Sequence, residues 1–219
     1  MSKAVMLSIR PKWCDKIING DKTIEIRKTR PKLDTPFKCY IYCTIGGQDL
    51  NIPISQERLM RDYLETGSMK SLNCPLGNGK VIGEFTCDRI YEIQKRGIPQ
   101  NFDYCYLSLN EWGNDDIETE IKAVSASCVS KAELNAYGAK APVLYGWHIT
   151  DLRIYDQPRE LSEFSLVCKY KNDDKSCPSR RVACSYQKYD YNPDGSINLV
   201  ECGRTFERPP QSWCYVEEA

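Results

Sequence analysis

Gly20-Asp21-Lys22-Thr23-Ile24-Glu25-Ile26-Arg27 is the stretch that decides how this chain folds. Its alternation of polar and apolar residues predicts a strand with Ile24 and Ile26 on a packed face and Thr23, Glu25 and Arg27 on the opposite one. Lys22 shares the parity of the isoleucines, so a twist or bulge at the start of the strand is expected to bring it round to the side of Glu25. Glu25 and Arg27 lie two residues apart on one strand face, close enough for Arg27 to hold Glu25 ionised and in a fixed orientation. A carboxylate beside cationic donors suits a nucleobase edge with a neighbouring phosphate: Glu accepts from an exocyclic amine, and Arg or Lys takes the anion. The same residues could equally form a structural ion pair at a sheet rim.

Upstream, Ala4–Ile9 reads as an apolar strand, and Pro11 opens a helix whose Trp13, Ile17 and Ile18 form a buried stripe ended by Gly20. Downstream, Phe37–Thr44 alternates as a strand, with Cys39 and Cys43 packing beside Phe37 and Ile41. Ser55 caps a helix carrying Leu59, Met60, Tyr63 and Leu64 that stops near Gly67. Lys80–Ile93 and Gly146–Tyr155 are further β-type runs, and Ser130-Lys131-Ala132-Glu133 has the form of a capping box for a helix closed by Gly138. Strands at irregular intervals with short helices between them predict an α+β, mainly β fold built on a closed or strongly bent sheet.

Gly-x-Lys-x-x-Glu-x-Arg after a Pro-initiated helix resembles the signature of the ASCH domain, a PUA-like family. Ser8-Ile9-Arg10-Pro11, Val81-Ile82-Gly83-Glu84-Phe85 and Tyr145-Gly146-Trp147-His148-Ile149 are similar to that family's other recurrent stretches, so the likeness runs roughly from Lys3 to Pro158. Arg208-Pro209-Pro210-Gln211-Ser212-Trp213-Cys214-Tyr215-Val216-Glu217 resembles the ending of a bacterial and phage subset. The resemblance implies a PUA-like β-barrel flanked by short helices over residues 1–165, a basic cysteine-containing insertion over 166–206 and a closing strand over 207–219. It also implies a cleft lined by Lys22, Glu25 and Arg27 that binds single-stranded RNA or a modified nucleoside or nucleotide, with Arg10 and Trp147 as further ligand-binding residues. The alternative it implies is a hydrolase, either an N4-acetylcytidine amidohydrolase or a metal-independent ribonuclease, with Lys22 and Glu25 as the catalytic candidates. In the amidohydrolases the nucleophilic threonine falls where this chain has Glu25.

Composition narrows the classes. In 219 residues, 41% apolar and 27% charged, a sizeable core forms without disulfides or metal. Thirty basic residues balance thirty acidic ones, so no whole-molecule field favours nucleic acid or membrane. The first forty residues nonetheless carry ten basic against four acidic side chains, a local surface of the kind that draws phosphates. No apolar run approaches the ~20 residues of a membrane span, and no signal peptide is recognisable. A cytoplasmic protein with reduced thiols and no membrane partner is therefore expected.

No Cys-x-x-Cys pair, phosphate-cradling glycine loop or His-Glu-x-x-His occurs, and His148 is the only histidine. That histidine, in a predicted strand beside Trp147, is expected to be packed or hydrogen-bonded and not a general base. No cofactor is expected. The weaker alternative is zinc held by Cys168, Cys177, Cys184 and Cys202 in the insertion, at spacings that match no standard framework. Trp13, Trp147, Trp213 and fourteen tyrosines are available for stacking on bases, and aromatics equally fill cores.

Overall fold

β1 (Lys3–Ile9) is buried on both faces from Ala4 onward, as its apolar run Ala4–Leu7 requires. Val5, Leu7 and Ile9 enter one core with Cys39, Ile41 and Phe85, while Ala4 and Met6 enter a second with Tyr40, Phe164 and Val216. β1 pairs in parallel with β3 (Phe37–Cys43) and antiparallel with β11 (Trp213–Glu217). The computed structural model of the chain describes residues 3–67, 74–96, 103–107, 125–167, 187–191, 193–195, 197–202, 205–206 and 208–218.

One sheet runs β11-β1-β3-β4-β8, with β4 at Val81–Cys87 and β8 at Thr150–Arg159. The other runs β2-β7-β5-β6, with β2 at Ile24–Arg27, β7 at Val143–His148, β5 at Ile90–Arg96 and β6 at Asp103–Leu107. β9 (Gln187–Tyr191) and β10 (Ile197–Cys202) form a separate antiparallel pair. The α+β, mainly β architecture follows, but the barrel does not close: among the described residues no ladder returns to its starting strand.

The two long β-runs seen in the sequence each break once, and they break at the same level. Asp88 and Arg89 separate β4 from β5, and Ile149 separates β7 from β8. Because β4 pairs with β8 while β5 pairs with β7, all four strands turn together from one sheet into the other. Ile149 leaves the strand ladder to donate to Thr23 O at 2.8 Å. At the far side, closure would need a backbone ladder along the outer edge of the four-residue β2. Instead the Arg27 side chain spans that gap, donating to Ser8 O and Ser212 O.

α1 (Pro11–Ile18) begins on Pro11, as expected, and buries Pro11, Cys14 and Ile17; Trp13 and Ile18 are only partly covered. α2 (Gln56–Thr66) is capped by Ser55, whose hydroxyl accepts from Arg58 N, and stops at Gly67 in the left-handed region at φ 66°. Its apolar residues do not reach a core: Leu59, Met60, Tyr63 and Leu64 are all exposed. α3 (Lys131–Gly138) has the capping box in full, with Ser130 and Glu133 bonding each other's backbone N–H. Leu134 anchors it against Ile24, Ile26, Ile93 and Leu144 on the outer face of the second sheet. No helix among the described residues is long and apolar enough to cross a membrane.

Candidate functional site

The turn after α1 places Lys22. Gly20 adopts φ +77°, a conformation a side chain would strain, and lets Lys22 N return to Lys16 O at 3.0 Å. Lys22 needs no bulge to reach Glu25, because β2 begins only at Ile24 and Lys22 stands outside its alternation. Within β2, Glu25 lies opposite Trp147 and Arg27 opposite Tyr145, so these four share the inner face that meets the first sheet. Ile24 and Ile26 take the outer face under α3.

Lys22, Glu25 and Arg27 converge there, and all three are buried, with 2%, 6% and 6% of their surface exposed. Glu25 bridges the two cations: Oε2 lies 3.3 Å from Lys22 Nζ and Oε1 lies 3.0 Å from an Arg27 terminal nitrogen. Lys22 donates its other protons to Ile24 O at 2.8 Å and Ser127 O at 2.7 Å, beneath the Trp13 ring at 5.2 Å. Arg27 donates to Ser8 O at 2.9 Å and, at 3.3 Å, to both the carbonyl and the hydroxyl of Ser212. One carboxylate thus faces two cations, and four carbonyl dipoles help to balance the surplus positive charge.

Two donors on this face have no acceptor. Arg27 Nε and Trp147 Nε1 are both buried without a hydrogen-bond partner. A buried N–H left unpaired costs ~1–3 kcal/mol, which makes this pair the outstanding feature of the site. Trp147 is fully covered, packed edge-on against Phe37 at 5.7 Å and against Trp213 at 5.8 Å. Neither face of its ring is therefore open for stacking.

The remaining sequence candidates lie elsewhere. Arg10 is exposed at the start of α1, where its carbonyl accepts from Trp13 N and Cys14 N, and it does not join the cluster. His148 sits on the outer face, with Nδ1 2.7 Å from Asp88 Oδ1, hydrogen-bonded as expected. Cys168, Cys177 and Cys184 lie outside the described residues, as does the Cys202 side chain. Among the described residues no group of three or more His, Cys, Asp or Glu could hold a metal ion.

The sequence reading missed Ser127 and Ser212, which act mainly through their carbonyls, and Tyr137, whose ring centre lies 5.1 Å from Lys28 Nζ. Backbone acceptors leave no mark in side-chain patterning. Burial raises the Tyr137 phenol above its ordinary value, with Arg27 pulling it back and Glu25 pushing it up. Burial likewise pushes the Cys14 thiol, next to this cluster, well above its usual range.

No family model matches the chain, and no curated protein matches it. Solved structures do show a likeness. ASCH from Zymomonas mobilis aligns over 98% of this chain and 88% of its own, at 13% identity and a TM-score of 0.47. Two mutant forms of that protein align at 16% identity, over 73% and 71% of this chain and 77% and 70% of theirs, with TM-scores of 0.41 and 0.37.

Proposed function

We propose that the chain is an ASCH-type, PUA-like module that binds a nucleobase or nucleotide at the Lys22–Glu25–Arg27 cluster. The observation that carries this reading is the pair of buried, acceptor-less donors, Arg27 Nε and Trp147 Nε1, on the same sheet face as a cluster with surplus positive charge. A nucleobase carbonyl or ring nitrogen supplies the acceptors these donors lack, and a phosphate supplies the missing negative charge. In this reading the ligand enters from the Arg27 end of β2, where Lys28, Thr29 and Arg30 are exposed, and displaces the cover over Arg27 Nε and Trp147 Nε1 as it binds.

Binding has more support than hydrolysis. A general base or an activated nucleophile must turn its reacting atom toward the substrate, and Glu25 and Lys22 are buried and turned toward each other. Both Glu25 oxygens face cations, and the Lys22 ammonium spends its protons on two carbonyls and on Glu25.

A thermal-shift screen of modified nucleosides, nucleotides and short RNAs tests the reading. A ligand at a hundred times its Kd adds ~2.7 kcal/mol of stability. For a chain of this size that is a rise in Tm of roughly 5–10 °C. Arg27→Lys keeps the charge but removes Nε, and it should lose most of that shift. If no nucleoside, nucleotide or RNA moves the melting curve, the reading is wrong.

A further inference from the structure

Among the described residues, the exposed large apolar side chains gather in one place. Ile45, Leu59, Met60, Tyr63, Leu64 and Leu76 all belong to the connection between β3 and β4, and Tyr137 alone lies elsewhere. Four of the six are on α2. At about 100° per residue, Leu59, Met60, Tyr63 and Leu64 fall within one arc of about 140°, and Arg58 and Asp62 lie on the opposite side. It is the polar side that attaches the helix to the body: Arg58 donates to Asp156 O of β8 at 2.6 Å and lies 4.0 Å from Asp62. A surface helix ordinarily turns its apolar stripe toward the core. α2 does the reverse and buries none of its residues, so its stripe faces away from the body that holds it.

Single exposed apolar residues need no explanation, but a contiguous stripe marks an interaction surface. Charge narrows what covers it. Glu57, Asp62 and Glu65 outnumber Arg58 and Arg61 on α2, so the helix lacks the basic excess with which an interfacial helix holds an anionic membrane. Glu57 and Arg61 lie one turn apart beside the stripe, both exposed and neither in an ion pair with a described residue. A surface that carries both signs one turn apart is complementary to its own copy, because a two-fold axis sets each charge against its opposite. An axis between Leu59 and Met60 does so with the helices antiparallel, and lays Tyr63 and Leu64 of each over the first turn of the other.

The area agrees with a reversible assembly. The four side chains on α2 expose on the order of 400 Å² in one copy. Two stripes face to face cover roughly 800 Å², and their charged flanks bring the contact near the ~1,200 Å² at which specific interfaces begin.

We propose that the chain forms a two-fold symmetric dimer through the apolar face of α2. The two helices run antiparallel, Leu59 of each copy packs on Met60 of the other, and Glu57 of each pairs with Arg61 of the other. The dimer is a reversible one with a micromolar Kd.

Sedimentation velocity over a concentration series tests this on the full chain and on Leu64→Glu, Glu57→Arg and Arg61→Glu. Leu64 is 76% exposed, so its replacement leaves the fold alone, as an unchanged circular dichroism spectrum should show. Wild type should dimerise, and Leu64→Glu should weaken the dimer at least about tenfold. Glu57→Arg sets arginine against arginine twice across the axis, and Arg61→Glu sets glutamate against glutamate, so each variant alone should also dimerise at least about tenfold more weakly. Mixed in equal amounts, these two should form a heterodimer within about threefold of the wild-type Kd, because every arginine again faces a glutamate. A wild-type chain that stays monomeric throughout overturns the proposal and gives the stripe to a different occupant. A dimer that Leu64→Glu leaves intact, or charge variants that fail to rescue each other, overturns it as well.

Discussion

Replacing Glu25 by Gln keeps the shape of the side chain and removes the one negative charge that two buried cations share. The Arg27–Glu25 contact is 3.0 Å and the exposed Lys12–Glu133 contact is 3.1 Å, so distance does not separate them; burial does. Side chains in the first pair are 8% exposed, against 58% and 44% in the second. Removing one partner of a buried ion pair costs ~3–5 kcal/mol, because the other charge stays in a medium that solvates it poorly. Glu25 serves two partners, and the Gln amide would turn its N–H groups toward one of them, so we place the cost at the upper end, about 5 kcal/mol. At roughly 2–4 °C per kcal/mol for a chain of this size, Tm should fall by about 10–20 °C. Lys12→Gln, which breaks the exposed pair, should cost at most ~1 kcal/mol, and less as salt rises. Glu25→Asp keeps the charge on a shorter arm that can reach one cation well, so it should fall between wild type and Glu25→Gln. Urea melts of all three variants, compared at constant m, give these numbers directly. A Glu25→Gln loss below ~1 kcal/mol, no larger than that of Lys12→Gln, would refute the idea that this carboxylate neutralises two buried charges.

Ser130→Ala removes the α3 cap and should cost ~1 kcal/mol. It should flatten the acid limb of the stability profile only in part, because the backbone N–H of residue 130 and Lys12 remain: these, with the Ser130 hydroxyl, hold the Glu133 carboxyl down at about 2 against an ordinary 4.5, so its contribution is complete above pH 4.5 and is lost as pH falls toward 2. Exposure keeps that contribution small, and urea melts between pH 2 and 6 measure it. Among the described thiols, exposed Cys74 should react first with a chromogenic disulfide at pH 8. Cys14, Cys39 and Cys87 should react only on unfolding, since burial raises all three and takes Cys87 to about 12; rapid labelling of Cys87 in the native chain would contradict its place in the core. Gly83→Ala would drive a Cβ into the Arg153 carbonyl of the neighbouring strand, and should cost ~1–3 kcal/mol in the same melts as β4 and β8 are forced apart.

The sequence by itself determined what depends on neighbours within a turn of helix or a few residues of strand. The alternation from Thr23 to Arg27 put Glu25 and Arg27 on one face and Ile24 and Ile26 on the other, as the ladder with β7 shows. Pro11, Ser55 and Ser130 marked helix starts, because a cap or a missing N–H acts on the first turn alone. Tertiary structure decided what those faces meet. The carbonyls that fix Lys22 and Arg27 come from Ser127 and Ser212, which lie 105 and 185 residues away along the chain, and no local pattern announces a backbone oxygen at such a distance. The apolar residues of α2 were legible as a helix, yet whether such residues are covered depends on a partner surface that they do not encode, and here they stay exposed. The open sheet has the same origin: at the edge of β2 a guanidinium reaches Ser8 and Ser212 where a barrel would need a backbone ladder, and only the folded chain shows which of the two fills that gap.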